Sequence, residues 1–267
     1  MEVVYRSGCD DTSGEIFREI ENATGVQIND ENYEEYFHNT DPLEYRWTAK
    51  NDSSIDAPGF ELVSPPLQGE RGLQVVSDVV RELDRYCSGH RSCGLHIHHE
   101  ARDLTDEQFV NVYRIYYSLQ PVLAFLVAPS RRYNGYCPPL NTPLRSWGTD
   151  PVEQKNELMC ADRYSVNLRS YVVRGTIEFR QHHGTTSVEQ ILAWLFLTQR
   201  IVEYAREVKK PKEIREVRVN NMFRRLGWAG SALLDSRTRW TRAFWEERFL
   251  HYTRGALVAP VTVGRAS

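Results

Sequence analysis

Gly94-Leu95-His96-Ile97-His98 and Thr176-Ile177-Glu178-Phe179-Arg180-Gln181-His182 decide the fold. In both stretches apolar and polar residues alternate, the period-2 pattern of a strand with one buried face. Leu95 and Ile97 share one face, and His96 and His98 the other. Ile177 and Phe179 oppose Glu178, Arg180 and His182. A shorter piece, Phe60-Glu61-Leu62, sets one glutamate between two apolar residues and stops at Ser64-Pro65-Pro66.

Helical periods lie between these strands. Thr12 or Ser13 can cap a helix over 12–26, with Ile16, Phe17 and Ile20 on one face. Val76, Val79, Val80 and Leu83 fall at helical spacing between Leu73 and Tyr86. Thr105 with Gln108 forms a capping box for a long helix through Val127, which Pro121 should kink. Ser187 with Gln190 opens another, through Ala205. A strand is expected around Tyr45 to Thr48 and another over Arg163 to Leu168. The proline-rich stretch 128–162 reads as a long loop, a kind of segment that often carries function. A helical region is expected over 206–257, then a loosely held tail over 258–267. Strands separated by helices, without regular βαβ spacing or a glycine-rich turn, predict α+β rather than a doubly wound sheet. No repeat or linker divides the chain, so one domain over 1–267 is expected.

Composition narrows the function classes. Of 267 residues, 41% are hydrophobic and 26% charged, which excludes global disorder. A net charge of -3 argues against gripping nucleic-acid phosphates. The most apolar window, Pro121 to Val127, falls far short of the ~20 residues of a membrane helix. The first ten residues lack a signal-peptide pattern, so a cytoplasmic protein with neither membrane nor nucleic-acid partner is expected. The five cysteines form no C-x-x-C pair and read as reduced, mostly buried thiols.

The polar faces suggest chemistry. Solvated strand faces usually carry Lys, Thr, Glu or Ser, and that bland reading suits a lone Glu61. Two histidines on one face point instead to a metal or anion partner. Carboxylates with imidazoles and no thiolate suit Mg2+ or Mn2+ better than a structural zinc. Arg180, two residues from Glu178, could meet a phosphoryl group. His182 could extend the site, while His183 should face the other way and His99 and Glu100 should be solvated. Cys93 reads as a buried thiol, not a nucleophile. Arg131, Arg132, Tyr133, Asn134 and Tyr136 could clamp a nucleotide or an acidic substrate, or be a solvated loop. No Gly-x-x-x-x-Gly-Lys loop is present.

Taken in order, Asp52-Ser53-Ser54-Ile55, Gly59-Phe60-Glu61-Leu62-Val63-Ser64-Pro65-Pro66-Leu67, Ser92-Cys93-Gly94-Leu95-His96-Ile97-His98, Tyr164-Ser165-Val166-Asn167-Leu168 and Thr176-Ile177-Glu178-Phe179-Arg180 resemble the amidoligase family. That family is grouped with glutamine synthetase and glutamate–cysteine ligase, and the resemblance runs from about Trp47 to Ala205. It implies an antiparallel sheet of the glutamine-synthetase catalytic type, flanked by helices. It also implies an ATP-dependent ligase that joins a small-molecule or peptide carboxylate to an amine through an acyl phosphate. By position, Glu61, His96 and Glu178 match metal ligands for Mg2+ or Mn2+, and Arg180 an arginine on the phosphoryl group. His98 matches the second histidine, near the substrate. The resemblance further places Asn167 and one of Arg131 or Arg132 at the nucleotide, and Asp52 and Ser64 at the substrate. The family usually opens with a strand bearing Gly-x-Glu-x-Glu. Here the chain reads Met1-Glu2-Val3-Val4-Tyr5-Arg6, with Glu2 as the one match. Two rival readings are a metal-dependent hydrolase, which can also use His-x-His on a strand, and a relative that binds nucleotide or a partner without turnover.

Overall fold

The computed structural model describes residues 1–8, 12–30, 46–161, 163–212, 215–228 and 235–253. Tyr33, Tyr36, Phe37, Tyr45, Cys9 and the 258–267 tail lie outside them. The fold is α+β, and the chain divides into two compact units. Unit 1 comprises 1–97 and 180–195, and unit 2 comprises 98–179 and 196–267.

Unit 1 is a five-stranded sheet with helices on one face. The strands are β1 (Glu2–Tyr5), β2 (Gln27–Asp30), β3 (Arg46–Lys50), β4 (Gly59–Val63) and β5 (Cys87–Ser88), in the order β2-β3-β4-β1-β5. β1 and β3 both pair antiparallel with β4, while β2 runs parallel to β3. Alternation sends Val3, Trp47, Ala49, Phe60 and Leu62 to one face, all at most 4% exposed. There they meet Ile16, Phe17 and Ile20 of helix α1 (Ser13–Thr24) and Val79 and Leu83 of helix α2 (Gly69–Tyr86). Phe17 and Phe60 touch edge to face, with ring centroids 5.0 Å apart. Each of the buried valine, leucine, isoleucine and phenylalanine side chains contributes roughly 1.5–3 kcal/mol.

Helix α1 starts where the sequence says it should. Thr12 and Glu15 form a reciprocal capping box, and these bonds to Thr12 hold the Glu15 carboxyl below its usual range. The opposite sheet face is charged. The register sets Lys50 against Glu61, and Glu61 against Glu2. A row of lysine and two glutamates therefore crosses three adjacent strands.

A second sheet holds β6 (Gly94–Glu100), β7 (Val166–Asn167) and β8 (Thr176–His183) in the order β6-β8-β7. In unit 1, Gly184 N–H donates to Cys93 O at 2.8 Å. In unit 2, Ala101 N–H donates to Gly175 O at 3.0 Å. Residues 94–97 of β6 and 180–183 of β8 belong to unit 1, and 98–100 and 176–179 to unit 2.

Unit 2 is built on α3 (Asp106–Leu123), whose Thr105–Gln108 capping box is present as expected. The helix does not continue kinked to Val127. Pro121 falls in its last turn, and Phe125 and Leu126 donate to Val122 and Leu123 at i−3, tightening the chain out of the helix. The expected long loop also contains more structure than its prolines suggest. It holds 3-10 turns at Pro129–Arg131 and Leu144–Trp147 and the helix α4 (Pro151–Cys160). Asp150 caps α4 by accepting from Val152 N–H at 2.9 Å, and Pro151 stands at the first helical position.

Polar side chains tie this segment to α3. Arg114, 4% exposed, donates to Asn111 Oδ1 at 2.9 Å and to Gln154 Oε1 at 2.6 Å. Gln120 exchanges two bonds with the Leu140 backbone. The expected strand over Arg163–Leu168 shrinks to β7, followed by the short helix α5 (Ser170–Arg174). Helix α6 (Val188–Glu207) follows Ser187, whose hydroxyl accepts from Gln190 N–H. Helices α7 (Val219–Arg225) and α8 (Ser236–Thr253) complete the described residues, with Trp228 and Trp245 buried.

Candidate functional site

In unit 1, the charged row of the sheet gathers the first group. Glu2 is 4% exposed, and its Oε2 accepts from Gly94 N–H at 2.6 Å, a short charge-assisted bond. His96 Nε2 stands 3.4 Å from Glu2 Oε1, and His96 Nδ1 stands 3.8 Å from Glu61 Oε1. These are ion-pair spacings with the imidazole between two carboxylates. Lys50 Nζ reaches Glu61 Oε2 at 2.9 Å. Burial, above all, raises the affinity of Glu2 for a proton. Gly94 N–H and the terminal ammonium oppose this, and Asp52 and Glu61 reinforce it.

Asp52, expected at the substrate, therefore stands close enough to act on Glu2. Its Oδ1 also accepts from Ser54 N–H and Oγ at 2.8 and 2.7 Å, closing the turn after β3. Ser64 is half-buried just past β4, and Arg180 half-buried in β8.

His182 is fully buried and stacks on His183 with centroids 4.2 Å apart, against Trp194 at 5.3 Å. The expected opposition of His182 and His183 fails because regular alternation ends here. β8 stops at His183, and His182 Nδ1 lies 2.8 Å from the His183 carbonyl. A polar cleft of about 550 Å³, lined by Arg81, Asp84 and the 184–189 turn among others, contains none of the expected site residues.

In unit 2, Glu178 is 4% exposed and pairs in register with Asn167. Asn167 Nδ2 donates to Glu178 Oε2 at 2.6 Å, and His98 Nε2 stands 3.7 Å from Glu178 Oε1. Only the amide nitrogen of Asn167 can face a carboxylate productively, so Oδ1 must point away. That oxygen is buried and has no hydrogen-bond donor among the described residues. On its other side, His98 Nδ1 lies 3.0 Å from Thr176 Oγ1 and 3.4 Å from Ser170 Oγ, and the two hydroxyls are 3.0 Å apart. The hydroxyls fix the imidazole and leave Nε2 toward Glu178.

Arg131 is 2% exposed in its turn, and Arg132 lies over the Phe125 and Tyr252 rings with Nε donating to Ala124 O at 2.9 Å. His99 is not solvated as expected. It packs against Phe179 and reaches Thr198 Oγ1 at 2.8 Å. Burial, aided by His98, pushes its pKa down to about 3. Cys93 is a buried thiol, and Cys87 and Cys137 are also buried, while Cys160 is exposed.

The structure thus brings Glu61 and His96 together in unit 1, and Glu178, Asn167 and His98 together in unit 2. Glu2 and Lys50 also stand beside Glu61. Both follow from register, because Glu61 faces each of them across a strand pair.

Within unit 1 the donor chemistry, two carboxylates and an imidazole without a thiolate, is of the kind a hard divalent cation takes. As the side chains stand, no three His, Cys, Asp or Glu groups among the described residues converge on one point. In unit 1 the reason is visible. His96 lies between the carboxylates, and Lys50 already supplies a positive charge to Glu61.

No helix among the described residues is long and apolar enough to cross a membrane. No curated protein and no solved structure matches the chain. A family model described as "Putative amidoligase enzyme" matches residues 15–202, a span that takes in every expected site residue. The chain belongs to the amidoligase family.

Proposed function

We propose that the protein is an ATP-dependent carboxylate–amine ligase. The observation that supports it most is the gathering of Glu2, Glu61 and His96 on the polar face of the unit 1 sheet. In this reading the substrate carboxylate attacks the γ-phosphate of ATP, giving an acyl phosphate and ADP. The amine then attacks the acyl carbon, phosphate leaves, and an amide and a proton result.

Glu2, Glu61 and His96 would hold Mg2+ or Mn2+ in unit 1, and Glu178 would supply a carboxylate donor of the same kind in unit 2. A bound cation would neutralise phosphate charge, the main requirement of phosphoryl transfer. Arg180 would supply positive charge to the phosphoryl group. His98, whose Nδ1 lies by the Thr176 and Ser170 hydroxyls, would take the amine proton at Nε2. The absence of a P-loop motif fits phosphate binding by side chains and cations rather than by a glycine-rich cradle.

Calorimetric titration of ATP tests this reading, with Mg2+ and with chelator, in wild type and Glu178→Ala. Binding should require Mg2+ and should weaken at least ~10-fold in the variant. A folded wild-type protein that takes no ATP would sink the ligase reading. ATP binding without amide formation across acids and amines would favour a binding relative instead.

A further inference from the structure

We propose that Lys50 is a resident counter-cation at Glu61, so that unit 1 holds a divalent ion weakly until a phosphate ligand arrives with it. The inference deepens the proposed function and rests on Glu61 and His96 being cation-holding residues. Three observations carry it.

Lys50 is placed by register and not by chance of a surface rotamer, since it pairs with Glu61 across β3 and β4. Its ammonium lies 2.9 Å from Glu61 Oε2, and both side chains are largely shielded, at 11% and 13% exposure. Glu2 Oε2 is likewise engaged, by Gly94 N–H at 2.6 Å. Each carboxylate therefore turns one oxygen, Oε1, toward His96 and commits the other elsewhere.

An incoming divalent ion would find one oxygen of each glutamate already turned to His96 and would meet the repulsion of the nearby ammonium. Displacing Lys50 would free the second oxygen of Glu61, at the cost of leaving a shielded ammonium without its carboxylate. Bound phosphate changes that balance, because it gives both the ion and the lysine an anionic partner. Lys50 thus favours a cation delivered with phosphate over a cation held beforehand.

The test is Mn2+ binding without nucleotide, read from the electron paramagnetic resonance signal of free Mn2+. The proteins compared are wild type, Lys50→Met, Lys50→Arg and the double variant Lys50→Met/Glu61→Gln. Thermal melts establish that each is folded. Removing one like charge at this range should tighten Mn2+ binding at least about 10-fold in Lys50→Met. Lys50→Arg should stay within about 3-fold of wild type, and the double variant should lose the gain. Unchanged or weaker binding by Lys50→Met, or equal tightening by Lys50→Arg, would overturn the role of Lys50 alone. Failure of every folded variant to bind Mn2+ would remove the cation reading of Glu61 and His96 along with it.

Discussion

Replacing Asn167 by aspartate probes the unit 2 group through charge alone, since side-chain shape hardly changes. In the wild type Asn167 Nδ2 donates to Glu178 Oε2 at 2.6 Å, and both residues are at most 5% exposed. Asn167→Asp sets two carboxyl groups at that contact. Two charges about 4 Å apart at an effective dielectric near 20 repel by ~4 kcal/mol. The variant pair should therefore keep one proton up to roughly 3 pH units above the ordinary carboxylate range.

A folded-state pKa raised above its unfolded value means that the folded protein binds more protons. Stability is then retained below about pH 4 and lost as pH rises through the raised pKa. Urea unfolding in the presence of chelator measures it. Asn167→Asp should be ~3–4 kcal/mol less stable than wild type at pH 8. At pH 4.5, where the shared proton restores a bond, the two should lie within about 1 kcal/mol. An equal loss at both pH values would refute the charge argument and leave only a packing defect.

Two further perturbations test the units separately. His99 is neutral in the fold, with its pKa pushed down to about 3 by burial, so its contribution is full above the unfolded value near 6.5 and falls away as pH drops toward 3. His99→Gln keeps a hydrogen-bonding group opposite Thr198 but cannot titrate. It should flatten the loss of stability between pH 7.5 and 5 by about 1–2 kcal/mol in denaturant titrations; an unchanged slope would show that His99 is freely solvated. Gly184→Ala would thrust a methyl group against Cys93 Cβ and to 2.6 Å from the Glu2 carbonyl. A loss of about 1–3 kcal/mol should appear in thermal melts; a neutral substitution would mean that β1 and the end of β8 pack less closely than described.

What the sequence made legible was whatever short-range chemistry determines. Capping boxes at Thr12 and Thr105 act within one turn, and both helices begin where those residues stand. Alternation over 94–98 and 176–182 likewise produced β6 and β8. Helix α4 was missed although its signals were present. Asp150 followed by Pro151 is an N-terminal pattern, but the helix buries only Gln154 and Leu158, so its periodicity is faint. β1 and β2 are four residues each, too short for a periodic signal, and they are fixed by partners remote in sequence.

The same holds for the candidate site. Glu61, His96, Glu178 and Asn167 could be picked out because each sits in a strand pattern. Lys50 and Glu2 join Glu61 only through register, which no local window contains. His99 reads as solvated from its polar character alone, whereas its ring packs against Phe179 and reaches Thr198 Oγ1.

The position of β1 has a consequence for how the protein is made. It is an interior strand of its sheet, flanked by β4 and β5, yet the ribosome releases it before either. At about 5–20 residues per second, Val4 waits roughly 4–17 s before Ser88 exists to pair with it. Once β4 is made, only the edge of β1 that faces it has a partner strand, and through the rest of that interval the edge that will meet β5 is open. The pairing of β1 is therefore completed in two steps during synthesis, first with β4 and then with β5, and the speed of translation between Glu61 and Ser88 sets how long one edge stays open.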